Sequence, residues 1–484
     1  MIRWRLILRI VGVLVVCIGL SMLAALGFSI YYRDAGLKPL LISIAITVAA
    51  GGFLSLGGKR APAKAPLTHR EGMAATTLCW VAAAVFGGLP FYFGIILPHS
   101  EDFVFEAISG FTTTGASVIR DVEVVPRGIL FWRSLTHWLG GMGIIVLGLA
   151  ILPFLGVGGM QLYKAEVPGP LPDKLKPRLK DTAMILWKVY VMFSIVEAIL
   201  LMFGGMDFFD SLCHTFGTMA TGGFSTKNAS VGYYNSIYID VIVTIFMLIG
   251  GMNFSLHFQL FQGNPKAMWN DGEWRFFVIT YLVFAGLIVV DLLGTHTESL
   301  GLATRHSAFT VASIITTTGY ATADFELWPP LAQCILLMCM VIGGSVGSTG
   351  GAVKCMRIMV VLKQSYSELL RLIHPRAVVQ VKIGRQVVAP EVMSGVWGFM
   401  TLYLMLVVVS VIVVAGTGAD LITTVTSVMA CIGNVGPGLG AVGPVDNYYG
   451  MSSLAKWILS LDMLLGRLEI YTVLILFIPR FYRK

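Results

Sequence analysis

The sequence predicts an all-α, polytopic membrane protein: two leading transmembrane helices, then four pseudo-symmetric helix–pore-loop–helix units about one axis. Three observations carry this. Of 484 residues, 56% are hydrophobic and 12% charged, whereas a soluble domain carries about 25% charged residues; the mean hydropathy is +0.81. Charge this sparse needs lipid as the main solvent. Second, long apolar runs alternate with runs of ten to a dozen residues, too short to cross about 30 Å of hydrocarbon. Third, each short run ends in a polar, glycine-bearing motif. These are Phe111-Thr112-Thr113-Thr114-Gly115-Ala116, Thr218-Met219-Ala220-Thr221-Gly222-Gly223, Thr316-Thr317-Thr318-Gly319-Tyr320 and Ala430-Cys431-Ile432-Gly433-Asn434. Gly115, Gly222, Gly319 and Gly433 recur about every hundred residues, a period that signals repeated units.

In chain order, residues 1–70 form a two-helix scaffold. The apolar run 6–30 exceeds the 7–15 residues of a signal-peptide core, so it reads as a retained span; 38–57 is the second. The first pore unit, 71–181, has a span at 73–96, a short helix at 103–113 and a returning span at 129–155. A turn-rich linker follows at 167–172. Unit two, 182–273, repeats the plan at 183–205, 208–219 and 236–261. Unit three, 274–390, has 274–293, 303–316 and 331–354, then a basic cytoplasmic segment at about 355–390. Unit four, 391–484, has 392–415, 421–430 and 454–479. The total is ten transmembrane helices and four re-entrant loops.

Charge agrees with this topology. Lys and Arg cluster at the N-terminus, at 59–70, at 164–180, at 354–385 and at the C-terminus, while acids such as Glu101, Asp102, Asp207, Asp210, Asp324 and Glu326 mark the alternate loops. Lys/Arg excess marks cytoplasmic loops, so both termini are expected in the cytoplasm. The net charge of +8 therefore reflects topology, not nucleic-acid binding. Seven scattered cysteines lack CxxC or His-partnered spacing, which speaks for packing roles rather than disulfides or zinc.

Irregular backbone at membrane depth survives only where it lines a water-filled cavity or is buried in protein. Four short helices ending at such loops would aim their partial negative ends at a common axis. Rings of carbonyls there can replace the water shell of a monovalent cation. The candidate selectivity-filter residues, with potassium at their carbonyls, are Thr113, Thr114 and Gly115; Ala220, Thr221 and Gly222; Thr317, Thr318 and Gly319; and Ile432, Gly433 and Asn434. A single Thr-Thr-Gly turn would be an ordinary loop; four between paired spans describe an ion pore.

These residues and motifs resemble the Trk/Ktr/HKT superfamily of potassium transporters, and the two leading helices and the length are most similar to its bacterial TrkH/TrkG-type branch. The resemblance covers essentially the whole chain. It implies one filter glycine per unit and a divergent fourth filter, as in Ile432-Gly433-Asn434-Val435-Gly436-Pro437-Gly438. It also implies a gate below the filter in the glycine-rich run of the third unit, placing that role on Gly343, Gly344, Ser345, Gly347, Ser348, Gly350 and Gly351. So many glycines within a span should interrupt the helix; a flexible kink in a packed helix is the alternative. No Gly-Lys-Ser/Thr follows to make a phosphate loop. By the same resemblance Arg467 projects into the permeation path near the gate as a positive barrier; alternatively it pairs with Glu469 or Asp462.

The resemblance further implies a homodimer in the bacterial inner membrane and a TrkA-type cytoplasmic nucleotide-binding regulatory subunit. This chain lacks a dinucleotide fingerprint, so no nucleotide is expected on it. Potassium is the transported ion. The leading expectation is uptake through a gated, channel-like pore, with proton- or sodium-coupled symport as the alternative. Glu197, Asp240 and Asp291 are then candidate relay acids or structural pairs. Glu106 is either a filter-field acid or a helix-start acid. His137, His214 and His257 share no metal spacing and read as satisfied core histidines. Positioned carboxylate, metal-ligand or Ser/His/Asp clusters, which catalysis requires, are missing from the sequence, so it is not read as an enzyme.

Overall fold

The computed structural model describes residues 2–57, 68–143, 179–295, 299–376, 379–383 and 386–482. The basic stretches at 59–67 and 164–178, the linker at 167–172 and the end of the first returning span at 144–155 lie outside the described residues.

Two long helices open the chain, α1 (Trp4–Tyr32) and α2 (Leu37–Gly57), and pack on each other as a hairpin. Gly12 and Gly51 face each other across their crossing with no room for a side chain on either. Small residues allow such approach where hydrophobic drive between helices is absent. α1 also packs on α3 (His69–Phe93) and on α5 (Arg127–Trp138). α3 starts in a Thr68/Glu71 capping box, and Arg3 closes onto Glu71 with Nη2–Oε2 at 2.7 Å.

Four units follow. Their outer helices are α3, α6 (Leu179–Phe203), α11 (Gly272–Thr295) and α15 (Pro390–Ala415). Their short pore helices are α4 (Ser100–Phe111), α7 (Phe208–Met219), α12 (Leu300–Ile315) and α16 (Leu421–Ile432). Their returning segments are α5; α8 (Ile237–Gly251) with α9 (Phe254–Phe261); α13 (Pro330–Ile342) with α14 (Cys355–Ile373); and α17 (Ser453–Arg467) with α18 (Tyr471–Leu474). A short helix, α10 (Pro265–Asn270), precedes α11, and a two-residue hairpin, β1 (Lys382–Ile383) with β2 (Gln386–Val387), follows α14.

Polarity runs opposite to that of a soluble protein. α6, α11 and α15 expose Ile195, Ile199, Leu282, Val290, Val408 and Ile412 on the outside, while the pore helices bury Thr215, Thr218, Thr310, Ser313, Thr424 and Ser427. That arrangement is stable in a hydrocarbon solvent, where exposed polar backbone is not tolerated. Three pore helices have their first turn capped by a side chain: Asp207, Ser299 and Asp420 accept from Asp210, Leu302 and Thr423.

Among the described residues, six helices are long and apolar enough to cross a membrane unaided, and α8 with α9 would make a seventh if counted as one bent span. The returning segments fall short because each is interrupted. α5 passes into a π turn at Leu139–Gly143. α8 and α9 meet at 102°. α13 stops at Ile342, and α17 stops at Arg467, before Glu469 and Ile470 with φ of 59° and 54°. An interruption was expected in the third unit alone. The bend in the second has a local cause: the Asn253 side chain accepts from Ser255 N at 2.9 Å, and Phe254 N donates to the Gly347 carbonyl at 3.1 Å, restarting the helix in a new direction.

Candidate ion filter and intramembrane loop

All four pore helices end in one backbone pattern. After the last helical turn Thr112, Ala220, Thr316 and Gly433 cap the helix. The next residue is left-handed in every case: Thr113, Thr221 and Asn434 at φ 53°, Thr317 at 59°. The residue after that, Thr114, Gly222, Thr318 or Val435, donates its N–H back to Ser109, Gly217, Ser313 or Ala430 at 2.8–2.9 Å. This is the six-to-one closure of a Schellman end. A second left-handed residue follows, Gly115 (81°), Gly223 (80°), Gly319 (81°) or Gly436 (103°). Alternating handedness turns successive carbonyls towards one side, whereas a strand would alternate them across two.

The four loops meet. A Cβ on Gly115 would overlap the Gly222 carbonyl oxygen, one on Gly223 that of Thr318, and one on Gly319 that of Val435. A Cβ on Gly436 would overlap that of Thr114, which closes the cycle. The four carbonyls so engaged belong to the residues immediately before the four left-handed glycines. Glycine is required there twice over, by φ and by the neighbouring oxygen.

The broken third returning segment crosses the far side of this ring. From Gly343 (φ 71°) to Lys354 the chain is non-helical. Gly351 N donates to Thr317 Oγ1 at 2.8 Å, and Thr349 Oγ1 lies 3.1 Å from both the Met219 and Gly250 carbonyls. Gly350 abuts the Thr316 carbonyl, and Gly351 abuts Gly433 and Asn434. Glu273 Oε1 accepts from Val346 N (2.8 Å) and Met356 N (3.0 Å), holding both ends of the segment. Arg467 reaches it from the fourth unit: Nη1 donates to Thr349 O at 2.7 Å, and Nη2 to Gly140 O and Gly141 O at 3.0 and 3.2 Å. Backbone carbonyls from the first and third units thus converge on a guanidinium from the fourth.

The sequence model of the TrkH family, described as cation transport protein, matches residues 40–482. The chain belongs to this family. The Trk system potassium uptake protein TrkH of Escherichia coli (strain K12) is 42% identical over 487 residues, covering all of both chains. TrkG of the same strain is 36% identical, covering 99% of each. The crystal structure of the potassium transporter TrkH from Vibrio parahaemolyticus superposes with a TM-score of 0.89 at 38% identity, over all of both chains.

Within this TrkH-family chain the candidate filter residues of the first and third units lie in the ring, whereas in the second and fourth units the register differs. Thr113-Thr114-Gly115 and Thr317-Thr318-Gly319 align with Thr221-Gly222-Gly223 and with Asn434-Val435-Gly436. Spacing of first glycines selects Gly222 and Gly433; backbone conformation selects Gly223 and Gly436. Ala220 and Gly433 are helix caps, and Ile432 lies in the last turn of α16, packed with Val353, Phe399 and Tyr403. Counting three residues on from each cap would have found the left-handed glycine in every loop.

Of the residues expected to form a gate, Gly343, Gly344, Ser345, Gly347, Ser348, Gly350 and Gly351 all fall in the non-helical segment. The acids proposed as partners of Arg467 have other contacts: Asp462 takes Ser410 Oγ at 2.8 Å, and Glu469 pairs with Arg357 and with Lys354 at 2.9 Å. Glu106 pairs with Arg133 (2.7 Å) and accepts from Ser117 Oγ and Val118 N, so it braces the chain leaving the first loop. Asp240 of α8 pairs with Arg305 of α12 at 2.6 Å. Asp291 accepts from Ala332 N, and Glu197 is buried beside Thr218. His214 and His257 are hydrogen-bonded in the core, to Asp210 O with Ser225 Oγ and to Ile249 O. At the mouth, outside the spans, burial pushes the Glu326 carboxyl up, against the Gly440 N–H it accepts and with Asp324 and Asp446 adding to the rise.

Proposed function

We propose that this chain takes up potassium across the bacterial inner membrane through a gated, channel-like pore. The observation that carries the reading is the closed cycle of four left-handed glycines, each against the carbonyl of the next loop. Backbone oxygens held in this way can replace a dehydrating cation's water, and the relatives named above are potassium uptake proteins. Thr114, Gly222, Thr318 and Val435 supply carbonyls, with the residues flanking them. The segment 343–354 and Arg467 form the gate, an obstruction across the path with a positive charge beside it. A TrkA-type nucleotide-binding subunit working on a homodimer from the cytoplasmic side, where both termini lie, would bias that segment.

Purified chain in liposomes tests this. Rubidium should accumulate down an imposed potential without a proton or sodium gradient. Uptake that demands such a gradient would replace the pore with coupled symport, for which buried Glu197 against the second pore helix is the one favouring observation.

A further inference from the structure

The second loop is held differently from its neighbours. In loops one and three the Thr112 and Thr114 hydroxyls, and those of Thr316 and Thr318, lie 2.8 Å apart, a short ladder along each loop. Loop two has Ala220 and Gly222 at these places and cannot form one. The space is taken by His137, which α5 brings from the first unit; a Cβ on Gly222 would lie 2.5 Å from its ring. Nδ1 of His137 bonds the Gly110 carbonyl at 2.7 Å, and Nε2 bonds Phe224 N at 3.1 Å. A carbonyl accepts and a peptide N–H donates, so Nδ1 carries the hydrogen and Nε2 is bare. One neutral imidazole thus joins the last turn of the first pore helix to the residue after Gly223. The Phe224 ring is stacked on His137 at 4.0 Å and covered by Arg133 at 3.4 Å, and Arg133 Nη1 also donates to Ser225 O.

We propose that His137 is a positioning residue for ion discrimination, doing from a neighbouring unit what the threonine ladder does within loops one and three. The inference rests on reading the ring as a filter. Sites of this kind need their ligands held to within about 0.5 Å, and the Gly222 carbonyl has no hydroxyl ladder of its own.

The test measures the rubidium-to-sodium permeability ratio and the maximal rubidium flux of full-length protein in liposomes, for His137→Asn, His137→Gln, Gly222→Ala and Gly319→Ser. Asparagine keeps a donor near Gly110 but does not reach Phe224, while glutamine places an acceptor near the Nε2 position. Leaving a buried N–H unpaired should lower the ratio about five- to tenfold in His137→Asn, with maximal flux less affected, and His137→Gln should recover it to within about twofold. Gly222→Ala, which displaces the ring without removing it, should lower the ratio too and reads the same contact should His137→Asn fail to fold. If Gly319→Ser shifts the ratio while the His137 and Gly222 variants keep it, or lose flux alone, the proposal is overturned and the filter stands. If Gly319→Ser also leaves the ratio unchanged, the filter reading falls and takes the proposal with it.

Discussion

Thr113, Thr221 and Thr317 hold a backbone conformation that β-branched residues seldom adopt, at a cost of roughly 1–2 kcal/mol each. That strain persists because each is fixed by the helix closure before it and the glycine contact after it. Strain of this kind collects at functional sites. The glycines are the less replaceable partners. Gly436→Ser should lower rubidium-over-sodium discrimination, because a Cβ there meets the Thr114 carbonyl 2.6 Å away in a left-handed backbone. An unaltered ratio would hand the fourth filter position back to Gly433. Arg467 calls for a pair of variants. If its charge is the barrier, Arg467→Ala should raise basal flux while Arg467→Lys keeps it low. If the fork to Thr349, Gly140 and Gly141 matters more, lysine should leak nearly as much as alanine, since it cannot bridge three carbonyls with a planar fork.

At the level of elements, the interrupted returning segments matter more than the intact outer helices. The third unit's break is visible in its glycines, whereas the breaks in α8–α9 and after α17 are not. They depend on Asn253 finding a helix start and on Phe254 N meeting Gly347, a carbonyl some ninety residues later in the chain. Hydropathy and the Thr/Gly motifs were enough to locate the long outer helices and the short pore helices. The register within loops two and four was hidden because the deciding contacts are glycine against a carbonyl of another unit. Glu273 was equally illegible, an acid at the start of an outer helix whose role depends on a loop that folds back to it. Glu273→Ala should free the N–H groups of Val346 and Met356 and speed hydrogen exchange across 343–356 by about ten- to a hundredfold, while Glu273→Gln, which keeps an acceptor, should stay near wild type. Equal protection in both variants would mean that the loop is held by its other contacts, those from Gly351 to Thr317 and from Thr349 to Gly250.

Over the whole molecule, the ring joins segments separated by about a hundred residues, so it can form only when all four units are in place. Each loop contributes one carbonyl to its neighbour's glycine, and four partial negative helix ends point at the same axis with no acidic side chain required among the loop residues themselves. On the proposed reading, a dehydrated cation sits among these carbonyl oxygens and relieves their mutual repulsion. Ion binding there would be linked to folding: a ligand bound by the native state alone adds about 2.7 kcal/mol of stability at a hundredfold excess over its dissociation constant. Thermal unfolding in detergent should move to higher temperature with potassium or rubidium and much less with sodium or lithium at the same ionic strength. Gly319→Ser should remove most of the difference between ions, because it displaces the Val435 carbonyl that Gly319 backs onto. Equal stabilisation by all four cations would show a general salt effect, and the ring would then lack the preference that a row of ordered backbone oxygens should give it.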